Sequence, residues 1–136
     1  MRKGKLERDD IVLTTRGTVG NITHYNSFVP FDVIRINSGM VLLRSIDTAV
    51  ISPKFFCELF KNDEMTREVK SFLSGSAQPQ LPITNLKKIK FILPPIDLQS
   101  HFANIVTKIE EQKAFVKKAI DETQYLFDSL MSEYFE

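Results

Sequence analysis

Tryptophan is absent from this chain, and cysteine occurs once, at position 57. A single cysteine excludes an intrachain disulfide and a cysteine-built metal cluster, and it points to a reduced, cytoplasmic setting. Long apolar runs are missing too: none approaches the roughly 18–20 residues needed to cross a membrane as a helix. The opening MRKGKLERDD is charged and lacks the apolar stretch of a signal peptide. There is no H-E-x-x-H, no G-x-S-x-G and no P-loop, since Arg16-Gly17-Thr18-Val19-Gly20 lacks the Lys-Ser/Thr pair. The two histidines, His24 and His101, stand in no ligand or triad spacing. Asp9-Asp10 and Glu110-Glu111 are adjacent, so their side chains point in different directions and form no carboxylate dyad. Cys57 lies among Phe55, Phe56 and Phe60, where a buried, inert thiol is favoured. These residues assign no catalytic group, no metal site and no cofactor.

What is present fits one domain plus an appendage: 136 residues, 43% hydrophobic and 26% charged. Net charge is only +1, but it is unevenly spread. Residues 1–95 hold 14 Lys and Arg against 9 Asp and Glu, whereas residues 96–136 hold 4 against 8. A basic body with an acidic tail suits a body facing a polyanion and a tail facing protein. Two ordinary solvated surfaces would give the same numbers.

The periodicity divides the chain into an α+β body over residues 1–95 and one long coiled-coil helix over residues 96–136. Ile11 to Thr15 reads as a strand, followed by a turn at Arg16-Gly17-Thr18 and a second strand over Val19 to Tyr25. Gly17 and Gly20 suit positive φ. Phe28 to Ile36 and Met40 to Arg44 read as further strands around an Asn37-Ser38-Gly39 turn. Ser52 and Pro53 then open a helix carrying Phe55, Phe56, Leu59 and Phe60. Asn62-Asp63 interrupts it, and a second helix runs from Glu64 to Leu73. Ser74 to Pro82 is a loop. Leu86 to Leu93 alternates apolar and lysine residues like a strand, and Pro94-Pro95 stops it.

Asp97 is placed to cap the terminal helix. Phe102, Ile105, Ile109, Val116, Ile120, Leu126 and Leu130 recur at helical spacing along one packing face. Gln112 and Thr123 interrupt the seam, at a cost in stability and a gain in register. With no Gly or Pro after Asp97, about 38 residues span roughly 57 Å. A body of under 100 residues does not cover such a length, so the helix is expected to need a partner.

Polar groups able to contact DNA cluster in the turns. Thr15, Arg16 and Thr18 present hydroxyls and a guanidinium beside Gly17. Arg suits guanine, and Thr suits phosphate or a thymine methyl. Ser76 and Gln78 add a small hydroxyl and an amide suited to adenine. Lys87 and Lys88 suit phosphates. Any one of these residues taken singly is as readily a solvated surface group.

The order of the motifs says more than any one of them. Asp10-Ile-Val-Leu-Thr-Thr-Arg-Gly-Thr-Val-Gly20 is followed by Gly75-Ser-Ala-Gln-Pro-Gln-Leu81. Then come Leu86-Lys-Lys-Ile-Lys-Phe-Ile-Leu-Pro-Pro95 and Gln99 at the head of a long helix. From about Leu6 to its end the chain resembles the target recognition domain, with its following spacer helix, of type I restriction-modification specificity subunits. Asp9 and Leu98 depart from the family pattern, which usually has Gly and Glu there. The resemblance implies a small mixed α/β body, here a partial one lacking its opening strands, that reads one half of a split site in double-stranded DNA. It also implies a spacer and dimerisation helix that pairs antiparallel with the second spacer helix of another copy or of the other half of the subunit. Methyltransferase and restriction subunits would be the further partners and would carry the chemistry; no membrane is implied. The alternative is a coiled-coil adaptor without DNA binding of its own.

Overall fold

The computed structural model describes residues 4–75 and 77–135. The fold is α+β: a small antiparallel sheet with short helices, ending in one long helix. The strands are β1 (Ile11–Thr14), β2 (Ile22–His24) and β3 (Met40–Leu43), in the order β2-β1-β3. Ile11 pairs with His24 on one side and with Leu43 on the other, which fixes both registers. Central β1 is apolar and buried from Ile11 to Leu13 because both its faces are covered. Alternation along the strand sends Leu13 to one face and Val12 to the other. Leu13 packs with Phe60, Met65, Val69, Leu81 and Ile89. Val12 packs with Leu6 and Tyr25. One four-residue strand thus serves two cores.

Helix α1 (Pro53–Phe60) starts as the sequence indicates: Pro53 leads, and the Ser52 hydroxyl accepts from the Phe55 N–H. Helix α2 (Asp63–Ser71) is capped by Asn62, whose side chain accepts from the Glu64 N–H at 2.7 Å. Asp63 and Glu64 therefore sit inside the first turn, where carboxylates favour the helix dipole. Cys57 is buried in α1, as expected.

Two expected strands do not form. Phe28 to Ile36 is a loop touching a strand partner only at the isolated Lys5–Arg35 bridge. Both sides of β1 are already taken, and Pro30 offers no N–H to a ladder. Arg8 instead donates to the carbonyls of Asn26, Val29 and Phe31, and the Tyr25 hydroxyl donates to that of Phe31. Leu86 to Leu93 also fails as a strand. A one-turn helix, α3 (Ile83–Leu86), is prolonged by Lys88 N–H to Asn85 and Ile89 N–H to Leu86. The alternation is real but is used against helices: Ile89 enters the core, and Phe91 meets Phe56 edge-on at 5.1 Å between ring centroids. The second strand is also shorter than Val19–Tyr25, because Gly20 and Asn21 turn back onto Thr14.

Helix α4 spans Ile96–Phe135, about 60 Å at 1.5 Å per residue. Asp97 lies within its first turn rather than capping it, since the Pro95 carbonyl already accepts from Leu98 and Gln99. The chain forms two compact units, Met1–Ser100 and His101–Glu136. In the second unit Thr123, which interrupts the apolar seam, returns its hydroxyl to the Ala119 carbonyl at 2.8 Å. No helix among the described residues is long and apolar enough to cross a membrane.

Candidate nucleic-acid interface

The β1–β2 hairpin turns through residues 15–21. Gly17 and Gly20 take positive φ, as expected. The Thr14 hydroxyl donates to the Thr18 carbonyl and accepts from the Asn21 N–H. This closes the turn tightly and leaves Arg16, Gly17 and Thr18 exposed at its tip. Among the described residues, the Arg16 guanidinium makes no hydrogen bond or ion pair.

Thr15 behaves differently from its neighbours. It is buried, its hydroxyl donates to the Gly39 carbonyl at 3.2 Å, and its own carbonyl accepts from the Leu81 N–H at 2.9 Å. It holds three chain segments together instead of facing outward. The Arg16 N–H also reaches Gly39, and Arg16 forms an isolated bridge with Gln80. The loop over residues 74–80 is pinned by paired hydrogen bonds between Ser74 and Gln80. Gly75 is required in that loop: its φ is +87°, and a Cβ would lie 2.8 Å from the Gln78 carbonyl oxygen.

The structure therefore brings the tips carrying Arg16, Thr18 and Gln78 to one end of the sheet, with Thr15 beneath them. Gln78 is exposed there. Ser76 lies outside the described residues. Lys87 and Lys88 are exposed on the turn after α3. Phe102, Ile105, Ile109, Val116, Ile120, Leu126 and Leu130 are all 43–62% exposed along α4.

Two polar clusters escaped sequence reasoning. At the opposite end of the sheet, fully buried Asp10 accepts from Arg44 Nε at 2.6 Å, Arg44 Nη2 at 2.7 Å and the Glu7 N–H at 2.6 Å. Burial pushes its carboxyl up, but the Arg44 and Glu7 hydrogen bonds and the Arg44 charge outweigh it, so Asp10 sits below the ordinary carboxylate value. The same pairing raises the Arg44 guanidinium further above its ordinary value. Gln99, in the first turn of α4, is also fully buried. Its amide donates to the carbonyls of Val50 at 2.9 Å and Pro94 at 2.8 Å, and its oxygen accepts from the Ser52 N–H at 2.8 Å. A polar side chain fixed in a motif beside apolar residues was the available signal for both.

The family model for the type I restriction modification DNA specificity domain matches residues 3–124. The chain belongs to that family. The specificity domain also resembles a solved structure, the type-I restriction-modification system S subunit from M. genitalium, with a TM-score of 0.69 at 16% identity. That likeness, which speaks to the fold, covers 93% of this chain but only 32% of the subunit's chain. No curated protein matches the specificity domain.

Proposed function

We propose that this chain is a DNA-reading part of a type I specificity subunit, with the loops at the Arg16 end of the sheet entering the major groove. One observation carries the reading. In a member of the DNA specificity family, the side chains of Arg16, Thr18 and Gln78 are exposed at a single sheet end and make no hydrogen bond among the described residues. Arg16 would read guanine through two hydrogen bonds, and Gln78 would read adenine. Lys87 and Lys88 would contact phosphates along the flank. Thr15 positions the loops. The chain itself would carry no reaction; partner methyltransferase and restriction subunits would be directed by it to one half of a split site.

Titrating the chain against a random-sequence duplex library at two salt concentrations tests this. The logarithm of the binding constant should fall against the logarithm of salt by about 0.9 for each phosphate neutralised. Arg16→Ala should cost roughly 1–3 kcal/mol of discrimination at one base pair. Flat salt dependence would instead favour the coiled-coil adaptor.

That second reading is motivated by the exposed apolar face of α4, which in either case calls for a helix partner. The partner proposed is another copy of this chain, antiparallel, or the other half of a subunit. Sedimentation of the chain alone should show a dimer at tens of micromolar, and Ile109→Glu combined with Val116→Glu should leave a monomer. A monomeric wild-type chain under those conditions would rule out self-pairing.

A further inference from the structure

The two ends of the sheet differ in charge. The segments 14–21, 37–40 and 74–81 meet at one end; they contain no Asp or Glu, and their one charged residue is Arg16. Toward the other end lie Glu7, Asp9 and Asp10, interleaved with Arg8 and Arg44, together with Asp32, which pairs with Arg8, and Asp47 beyond the exit of β3. The registers of β1 with β2 and β3 place them so, since Ile11 pairs with both His24 and Leu43. A carboxylate close to a phosphate is repelled, so of the two sheet ends the one built from these segments suits a duplex better. Three segments meet there, yet the reading above uses only two.

The third is the Asn37-Ser38-Gly39 turn. The N–H groups of Thr15 and Arg16 both donate to the Gly39 carbonyl, at 2.8 and 3.3 Å, which fixes the turn directly beside Arg16. Asn37 Oδ1 accepts from the Gly39 N–H at 2.8 Å, so the turn is locked from within. The Asn37 amide nitrogen and the Ser38 hydroxyl make no hydrogen bond among the described residues, and both residues are exposed. A preorganised turn with two uncommitted donors beside an uncommitted guanidinium is suited to base edges, because it needs no ordering when it docks. Successive base pairs stack about 3.4 Å apart along each strand, so a turn hydrogen-bonded to the Arg16 backbone lies within reach of an adjacent pair.

We infer that the Asn37-Ser38-Gly39 turn is a third DNA-reading loop, whose Ser38 hydroxyl and Asn37 amide contact the base pair next to the one Arg16 reads. The inference rests on the DNA-reading assignment above. It is tested on the full chain with Ser38→Ala, Ser38→Glu and, as a charge-matched control at the other end, Thr48→Glu. Ser38 and Thr48 are both exposed, and thermal unfolding checks that each variant keeps its fold. Against a random-sequence duplex library, Ser38→Glu should weaken binding by about tenfold or more, which corresponds to about 1.4 kcal/mol. Thr48→Glu should stay close to wild type. Ser38→Ala should bind nearly as well but lose preference at a base pair adjacent to the one relaxed by Arg16→Ala.

Equal losses in the two glutamate variants would mean that net charge alone is felt, and would overturn the inference. So would an unchanged enriched sequence in Ser38→Ala. A wild-type chain without salt-dependent binding sinks this inference and the reading beneath it together. Binding that is sensitive to Arg16→Ala but indifferent to position 38 sinks this inference alone.

Discussion

Gln99→Leu is expected to destabilise the first unit by about 2–4 kcal/mol, because it strands three backbone groups at once. Leucine matches glutamine closely in volume, so packing is nearly unchanged and the loss is one of hydrogen bonds. The Ser52 N–H loses its acceptor, and the carbonyls of Val50 and Pro94 lose their shared donor. Val50 and Pro94 are not fully buried, and water can recover part of their loss, which sets the upper bound. Gln99→Glu is a sharper comparison. It keeps the acceptor for Ser52 but sets a carboxylate oxygen against two carbonyls, so it should be at least as damaging near neutral pH. Urea unfolding of the purified chain, with Ser100→Ala as an exposed neighbour, reads the difference. A midpoint for Gln99→Leu equal to that of wild type would show that water replaces the amide without penalty.

Asp10→Ala is expected to cost about 2–3 kcal/mol. Asp10 is fully buried and accepts three short hydrogen bonds that tie the entry of β1 to the exit of β3. The figure stays below that for a fully buried ion pair because Arg44 is 44% exposed and retains Glu7 at 3.1 Å. The pH dependence has a definite sign. Asp10 is depressed below its unfolded value of about 3.9, so its stabilisation is present above that value. It is lost as pH falls through the lower, folded value. Wild-type stability should therefore decline in that acid window, and Asp10→Asn should lack that component. Chemical denaturation at several pH values separates the two curves; parallel curves would contradict the assignment.

Local chemistry made much of the fold legible. The β-branched run of β1, the Ser52-Pro53 helix start and the unbroken α4 pattern all declare themselves within a few residues. Phe28 to Ile36 and Leu86 to Leu93 did not, because each has a strand-like pattern whose fate was decided elsewhere. Arg8 captured the carbonyls of the first, and the second was turned onto α1 and α2 by the Asn85 and Leu86 carbonyls. For the candidate interface, Arg16 and Gln78 could be named from the sequence, but the Arg16–Gln80 bridge that makes them neighbours could not. That Thr15 is buried was hidden for the same reason, since only its distant contacts with Gly39 and Leu81 reveal it. The bonds of Asp10 to Arg44 and of Gln99 to Ser52 span 34 and 47 residues. No windowed pattern contains both ends of such a pair.

The division of labour along β1 bears on how such a domain changes its preference. Val12 and Leu13 lock the register by facing opposite cores, so a one-residue slip would empty both together. Beyond Thr15 the side chains at the tips contribute nothing to either core: Arg16, Thr18, Ser38 and Gln78 are exposed. Substitutions there are free of the packing constraint that holds the strand a few residues away. On the proposed reading of the tips, new target sequences can therefore be explored there without loss of folding stability, and the strand that forbids drift in the body is what permits it at the rim.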